Sequence, residues 1–142
     1  MYDIYLAAPF FNGEEIEIYE KVIDILRMRL GLKVFVPREH EIPNAWELSN
    51  VKWAWEVYFA DTEAIRQSKR VVALNFGMYS DSGTAWEMGY ATALGIPVTQ
   101  VLCGGDNTVY SLMTLGSMSN VCDLVNFSIE QDTVNLQKVV QK

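Results

Sequence analysis

Val71-Val72-Ala73-Leu74-Asn75-Phe76, then Gly77-Met78-Tyr79-Ser80-Asp81-Ser82-Gly83, then the segment from Thr84 to Leu94, is the stretch that decides the fold. The first block is a continuous apolar run, the pattern of a strand buried on both faces. The second is a glycine- and serine-rich loop. The third reads as a helix that stops at Gly95, with Pro97 just beyond. A further apolar run, Val98 to Leu102, follows at once. Strand, loop, helix and strand make one right-handed βαβ unit with its two strands parallel.

The same alternation extends in both directions. Tyr2 to Ala8 reads as a strand broken by Pro9. Asn12-Gly13 is a turn, and Glu14-Glu15 puts acid into the first turn of the next helix. There Ile16, Tyr19, Val22, Ile23, Leu26 and Leu30 recur at helical spacing until Gly31. Leu32 to Val36 is a second strand, closed by Pro37. Arg38 to Asn50 has turn signals and little periodicity; loops this long inside compact domains tend to carry function. Val51 to Gln67 is a second helix. Beyond Leu102 come a loop at Gly104-Gly105-Asp106-Asn107, a short helix at Val109 to Leu115, a weaker strand at Val121 to Phe127, and a last helix from Ser128 to about Val140. The expectation is a single domain over 1–142: a three-layer α/β fold whose five-stranded, mostly parallel sheet carries helices on both faces. Ligands of such folds sit at the carboxyl ends of the strands, so the loops after Ala8, Pro37, Phe76 and Leu102 should line the site.

Composition narrows the classes. With 11 Lys and Arg against 18 Asp and Glu, the formal net charge is −7, which argues against a nucleic-acid partner and against an anionic membrane surface. Val71 to Ser80 is uncharged but far too short to span a bilayer. Met1-Tyr2-Asp3-Ile4 runs straight into the first strand with no basic segment or apolar core of a signal peptide, so a cytoplasmic protein is expected. Cys103 and Cys122 are too few for a disulfide framework or a zinc site and read as free core thiols. No metal and no cofactor is expected. His40 is the only histidine; it has no triad partners and reads as a solvated loop residue.

Carboxylates remain as the chemistry. Asp61 lies in the second helix, Asp81 in the loop after the third strand and Glu87 in the helix that follows. Gly83 and Gly89 let backbone approach a ligand or a neighbouring element, and the helix start offers unsatisfied N–H groups at a strand end. An ordinary reading stands beside this one. Thr84-x-x-Glu87 matches a capping box, and Asp81 or Ser82 can be a plain cap. Trp46, Trp53, Trp55 and Trp86 read by default as core or subunit interface rather than as a stacking platform, and Met78, Met88, Met113 and Met118 as gap-fillers.

Four blocks together, Tyr5-Leu6-Ala7-Ala8-Pro9-Phe10-Phe11, Asp61, Asp81-Ser82-Gly83-Thr84-Ala85-Trp86-Glu87-Met88-Gly89 and Ser111-Leu112-Met113-Thr114-Leu115-Gly116, resemble the nucleoside 2-deoxyribosyltransferases, in order and at compatible spacing. The resemblance implies a flavodoxin-like domain that exchanges the base of 2′-deoxynucleosides against free purine or pyrimidine bases, with retention. It implies Glu87 as the nucleophile, Asp61 as the acid near the leaving base and Tyr5 as the residue that orients the nucleophile. It places Asp81 on the 5′-hydroxyl, Gly83 beside it, Phe10 over the base and Glu41 near the base edge. Ser111 and Met113 fall in a segment that enters a neighbouring subunit's site, so a homo-oligomer is implied.

Some positions depart from the family pattern. Ser111 replaces an asparagine that many transferases carry, a feature reminiscent of the related deoxynucleoside 5′-monophosphate N-glycosidases. Those hydrolases tend to have serine at the Asp81 position, and a carboxylate there repels a phosphate. Gln141-Lys142 lacks the terminal tyrosine that some relatives fold over the site. Hydrolysis of a deoxynucleoside or its monophosphate is the second reading, and a non-catalytic nucleotide-binding module the third.

Overall fold

A computed structural model describes residues 1–79, 81–105, 107–117 and 120–123, the last four by their backbone. Strand β1 (Tyr2–Ala7) leads to helix α1 (Gly13–Asp24), which continues as a π-helical turn over Ile25–Arg29. Strand β2 (Val34–Phe35), two short 3-10 turns (Pro37–Glu39 and Ala45–Glu47) and helix α2 (Asn50–Arg66) follow. Then come β3 (Ser68–Asn75), α3 (Ser82–Ala93), β4 (Val98–Leu102), α4 (Leu112–Gly116) and β5 (Asn120–Asp123). The described strands form one five-stranded sheet in the order β2-β1-β3-β4-β5, every neighbouring pair parallel. This is the order of a flavodoxin-like doubly wound sheet, with its switch point between β1 and β3.

Side chains alternate across the sheet as pleating requires. Ile4 and Leu6 of β1, with Val72 and Leu74 of β3, pack with Tyr19, Val22, Ile25 and Leu26 of the α1 layer. Tyr5 and Ala7, with Val71 and Ala73, pack on the other face with Ala64 and Ile65 of α2 and Met88 and Ala91 of α3. Tyr5 therefore points toward α3, the helix that carries Glu87.

Local chemistry sets the helix starts. Asn12 Oδ1 accepts from the Glu15 amide, and Glu15 Oε1 accepts from the Phe11 amide, a reciprocal cap on α1. Ser49 caps α2 through the Lys52 amide. Asp81 caps α3: its Oδ2 accepts from the Thr84 amide at 2.7 Å and from Thr84 Oγ1 at 2.8 Å. The Thr84 capping box is thus corrected. The helix begins at Ser82, two residues before Thr84, so Glu87 sits in its second turn, beyond reach of the first orphan amides.

Other boundaries move as well. β2 is only two residues long, and the segment expected as helix at Val109 becomes helical at Leu112. Gly89 has open space where a Cβ would stand, so it is not a close-approach point. Beyond β5, the rest of the strand expected to Phe127 and the helix from Ser128 lie outside the described residues, as does Met118.

The tryptophans are not core. Trp46, Trp53, Trp55 and Trp86 are all exposed, because ten residues from Asn50 to Phe59 stand clear of the sheet and only the later turns of α2 are buried on it. Met88 is buried and fills a gap, whereas Met78 and Met113 are exposed. Between β3 and β4, Asn75 Nδ2 donates to Gln100 Oε1 and Thr114 Oγ1, and Gln100 Nε2 donates to the Thr114 carbonyl. This buried polar set fastens α4 to the ends of β3 and β4.

Candidate active site

The carboxyl ends of β1, β2 and β3, roofed by the start of α2, enclose a cavity of about 640 Å³. Its walls bring together Asp61, Asp81, Gly83 and Glu87 with Phe10 and Glu41, all singled out from the sequence. Tyr5 joins them from below: its ring is fully buried under the floor, and its hydroxyl donates to Glu87 Oε2. Ser111 and Met113 are not brought in. Ser111 precedes α4 without a side-chain capping bond, and Met113 is 83% exposed. Neither lines this cavity: Ser111 is partly buried and Met113 stands in solvent.

Each inward group owes its position to its element. Glu87 faces the sheet from α3 because its neighbours at helical spacing, Thr84, Met88 and Ala91, are the buried ones. Asp61 follows Trp53, Val57 and Ala60 along one side of α2, and this side forms the cavity roof. A Cβ on Gly83 would stand 3.2 Å from Asp81 Oδ2 and crowd the capping carboxylate, so glycine suits that position.

Burial dominates the electrostatics. The Glu87 carboxyl is pushed up to about 8, first by desolvation and further by the negative charges of Asp61 and Asp81; the Tyr5 hydrogen bond opposes this only in part. Desolvation lifts Asp61 to about 6. The Tyr5 phenol is raised well beyond its ordinary range by burial and by the charges of Glu87 and Asp61, so it stays a donor throughout the accessible pH range. A desolvated carboxyl held by a phenol can attack an electron-poor carbon, and a second carboxyl whose affinity for protons is lifted toward neutrality can carry one. Among the described residues, no group of three or more His, Cys, Asp and Glu is placed to hold a metal ion.

The sequence reading missed part of the wall. Trp46, Trp53, Ile42, Arg38 and His40 also line the cavity. His40 is exposed as expected, yet its ring stacks on Phe35 at 4.1 Å and 10°. The seven-residue spacing of Trp46 and Trp53 around the helix-capping Ser49 was the available signal, for it puts both rings where the loop becomes α2. Cys103 is a free thiol, pushed up to about 12 by burial and unsuited to act as a nucleophile.

Comparison with known proteins follows the same line. The family model described as nucleoside 2-deoxyribosyltransferase matches residues 4–131. A 2-deoxyribosyltransferase from Bacillus psychrosaccharolyticus is 32% identical, with a TM-score of 0.76 over 90% of this chain and 93% of that one. A conserved protein from Enterococcus faecalis, 24% identical, shares the fold with a TM-score of 0.71 over 96% and 98% of the two chains. The CMP N-glycosidase BcmB from Clostridium botulinum, also 24% identical, aligns with a TM-score of 0.54 over 96% of each chain. No curated protein sequence matches. A parallel α/β sheet with a carboxylate-lined cavity at its switch point, matched over nearly its whole length by one family model, fixes the class: the chain belongs to the nucleoside 2-deoxyribosyltransferase family. No helix among the described residues is long and apolar enough to cross a membrane.

The raised Glu87 carboxyl makes a stability prediction. In the folded protein it binds its proton up to about pH 8, whereas in the unfolded chain it releases it near 4.5. The folded state therefore holds the extra proton between these values, and its stability from this group is complete below about 4.5 and lost as pH rises toward 8. Asp61 acts in the same sense between 3.8 and about 6. Glu87→Gln keeps an acceptor for Tyr5 and removes the titration. The variant should match the unmodified protein near pH 4.5 and exceed it by roughly 10–20 °C in Tm at pH 8.5. Thermal unfolding across that range checks this; a constant gap would contradict it.

Proposed function

We propose that the protein exchanges the base of 2′-deoxyribonucleosides through a covalent deoxyribosyl-Glu87 intermediate. The observation that carries this reading is the Tyr5-held, desolvated Glu87 beside a second raised carboxyl, Asp61, in one cavity. Phe10 and the roof tryptophans cover the base by stacking, and Glu41 faces its edge. Tyr5 keeps one Glu87 oxygen occupied and so presents the other to C1′. As the C1′–N bond breaks, Glu87 forms the C1′–O bond and Asp61 gives its proton to the departing base nitrogen. An incoming base then attacks C1′, releases the Glu87 carboxylate and returns a proton to Asp61. Inversion twice gives retention. The products are a new deoxynucleoside and a free base.

Met113, exposed and away from its own cavity, suits a role in completing a neighbouring protomer's site, with Ser111 beside it. The outer side of α2 supports self-association: Trp55 and Phe59, one turn apart, are 61% and 60% exposed, an apolar strip that a lone protomer has no use for. The proposed partners are therefore small deoxynucleosides, free bases and further copies of the chain, in a cytoplasmic salvage role.

Incubation with deoxyinosine and adenine, followed by product separation, tests the reading. Deoxyadenosine and hypoxanthine are expected; free deoxyribose would favour the N-glycosidase instead. Glu87→Ala should lower exchange about a thousandfold or more while the variant stays folded, and near-normal turnover would remove Glu87 from the mechanism.

The two carboxyls act as a pair that shares one proton, Asp61 holding it when Glu87 attacks. The pH profile of kcat/KM should therefore be bell-shaped, with limbs near 6 and 8 and a maximum between them. In Asp61→Asn only one carboxyl of the pair is left to titrate, so the profile should lose one of its two limbs.

At the 5′ end, Asp81 accepts a hydrogen bond from a hydroxyl but repels a phosphate. Deoxyinosine should exceed its 5′-monophosphate in kcat/KM by on the order of a hundredfold. Asp81→Ser keeps a competent helix cap and should narrow or reverse that ratio. A preference of the unmodified protein for the monophosphate would shift the reading to the glycosidase.

A further inference from the structure

The loop after β2 supplies Pro37, Arg38, His40, Glu41 and Ile42 to one wall of the cavity, and its first turn is held from the opposite layer of the molecule. Arg27 lies in the π-helical turn that ends α1. Its Nη1 donates to Glu39 Oε1 and its Nη2 to Glu39 Oε2, both at 2.8 Å, and Nη2 also donates to the Val34 carbonyl at 3.0 Å. Parallel two-point contact of this kind fixes orientation as well as distance, which a lone lysine cannot do. One guanidinium thus grips both the last stretch before the turn and the turn itself. Glu39 has no place in the cavity; His40, the next residue, does.

From His40 the contacts continue inward. The Glu39 and His40 amides donate to the Val36 and Pro37 carbonyls, both at 3.0 Å, which closes the 3-10 turn. The His40 ring lies flat on Phe35 at 4.1 Å, and Phe35 lies parallel to Tyr5 at 5.5 Å and 10°. Tyr5 holds Glu87. A contiguous path therefore joins Arg27 on the far face to the wall of the cavity, through groups that are each fixed in two directions.

We propose that Arg27 and Glu39 form a positioning clamp that sets how tightly the site binds the nucleoside base, without taking part in the bond exchange. The proposal rests on the base-exchange reading for its substrate. Loss of the clamp frees the His40–Ile42 wall, whereas Tyr5 and Glu87 remain anchored by the strands and α3. Binding should weaken and the chemical step should hold.

The test compares Arg27→Met, Glu39→Gln and the double variant with the unmodified protein, measuring kcat, KM for deoxyinosine with adenine in excess, and Tm. Each single change should raise KM about tenfold and leave kcat within about twofold. The double variant should be no worse than the worse single, since both remove one device, and Arg27→Lys should recover only part. An unchanged KM with a lowered Tm would mean a purely structural ion pair and would overturn the clamp, as would a fall in kcat at least as large as the rise in KM, or effects that add. If the unmodified protein exchanges no base, the transfer reading fails by itself. Quenching of tryptophan emission by hypoxanthine then decides the clamp: a dissociation constant about tenfold weaker in the variants supports it, and equal constants, or no saturable quenching in the unmodified protein, overturn it.

Discussion

The buried hydrogen bond from Tyr5 to Glu87 is the contact on which the arrangement turns. A carboxyl taken out of water prefers its proton, and two further carboxylates in the same cavity strengthen that preference. Among the described residues Tyr5 is the one group that favours the ionised form, and it can do so because its own burial keeps the phenol protonated. The pair is costly to bury and specific in what it permits: a carboxylate that is weakly solvated, oriented and close to a proton carrier. Such a carboxylate is poorly stabilised until a cationic centre forms beside it, as at the anomeric carbon of a deoxyribose losing its base.

The sheet makes that contact possible by division of labour. β1 sends Ile4 and Leu6 to the α1 layer and Tyr5 and Ala7 to the α2–α3 layer, so a single strand serves as core on one face and as site floor on the other. Because β1 and β3 are neighbours across the switch point, the loop after β3 and the start of α3 rise directly above Tyr5. Asp81 caps α3 and also faces the cavity. One carboxylate therefore both sets where the helix starts and takes a place in the site, which is why capping and function could not be separated from spacing alone.

Around this rigid floor the upper walls are more loosely built. The first ten residues of α2 stand away from the sheet, with one side toward the cavity and the other carrying Trp55 and Phe59 outward. The β2 loop is pinned at its first turn by Arg27 and is otherwise short of regular structure. A floor fixed by strands and a wall fixed by a few side-chain contacts would suit the proposed exchange, in which one reacting carbon is held while more than one base is accepted.

Much of this was legible in the sequence. The apolar run at Val71 to Phe76 and the strand–helix alternation carry the α/β class, because burial on both faces leaves no polar alternation in the strands. Elimination of other chemistries left Asp61, Asp81 and Glu87, and the four blocks taken together, that from Asp81 to Gly89 among them, pointed to the family. What the tertiary structure alone decided was direction. Spacing cannot say whether Glu87 turns back to cap its helix or inward to Tyr5; the helix start at Ser82 and the alternation of β1 choose the second. Nor could it say that helical tryptophans would stand in the open, or that Arg27 would reach Glu39. Those outcomes depend on which elements meet across the sheet, and residues distant in sequence carry no local signal of the contacts they will make.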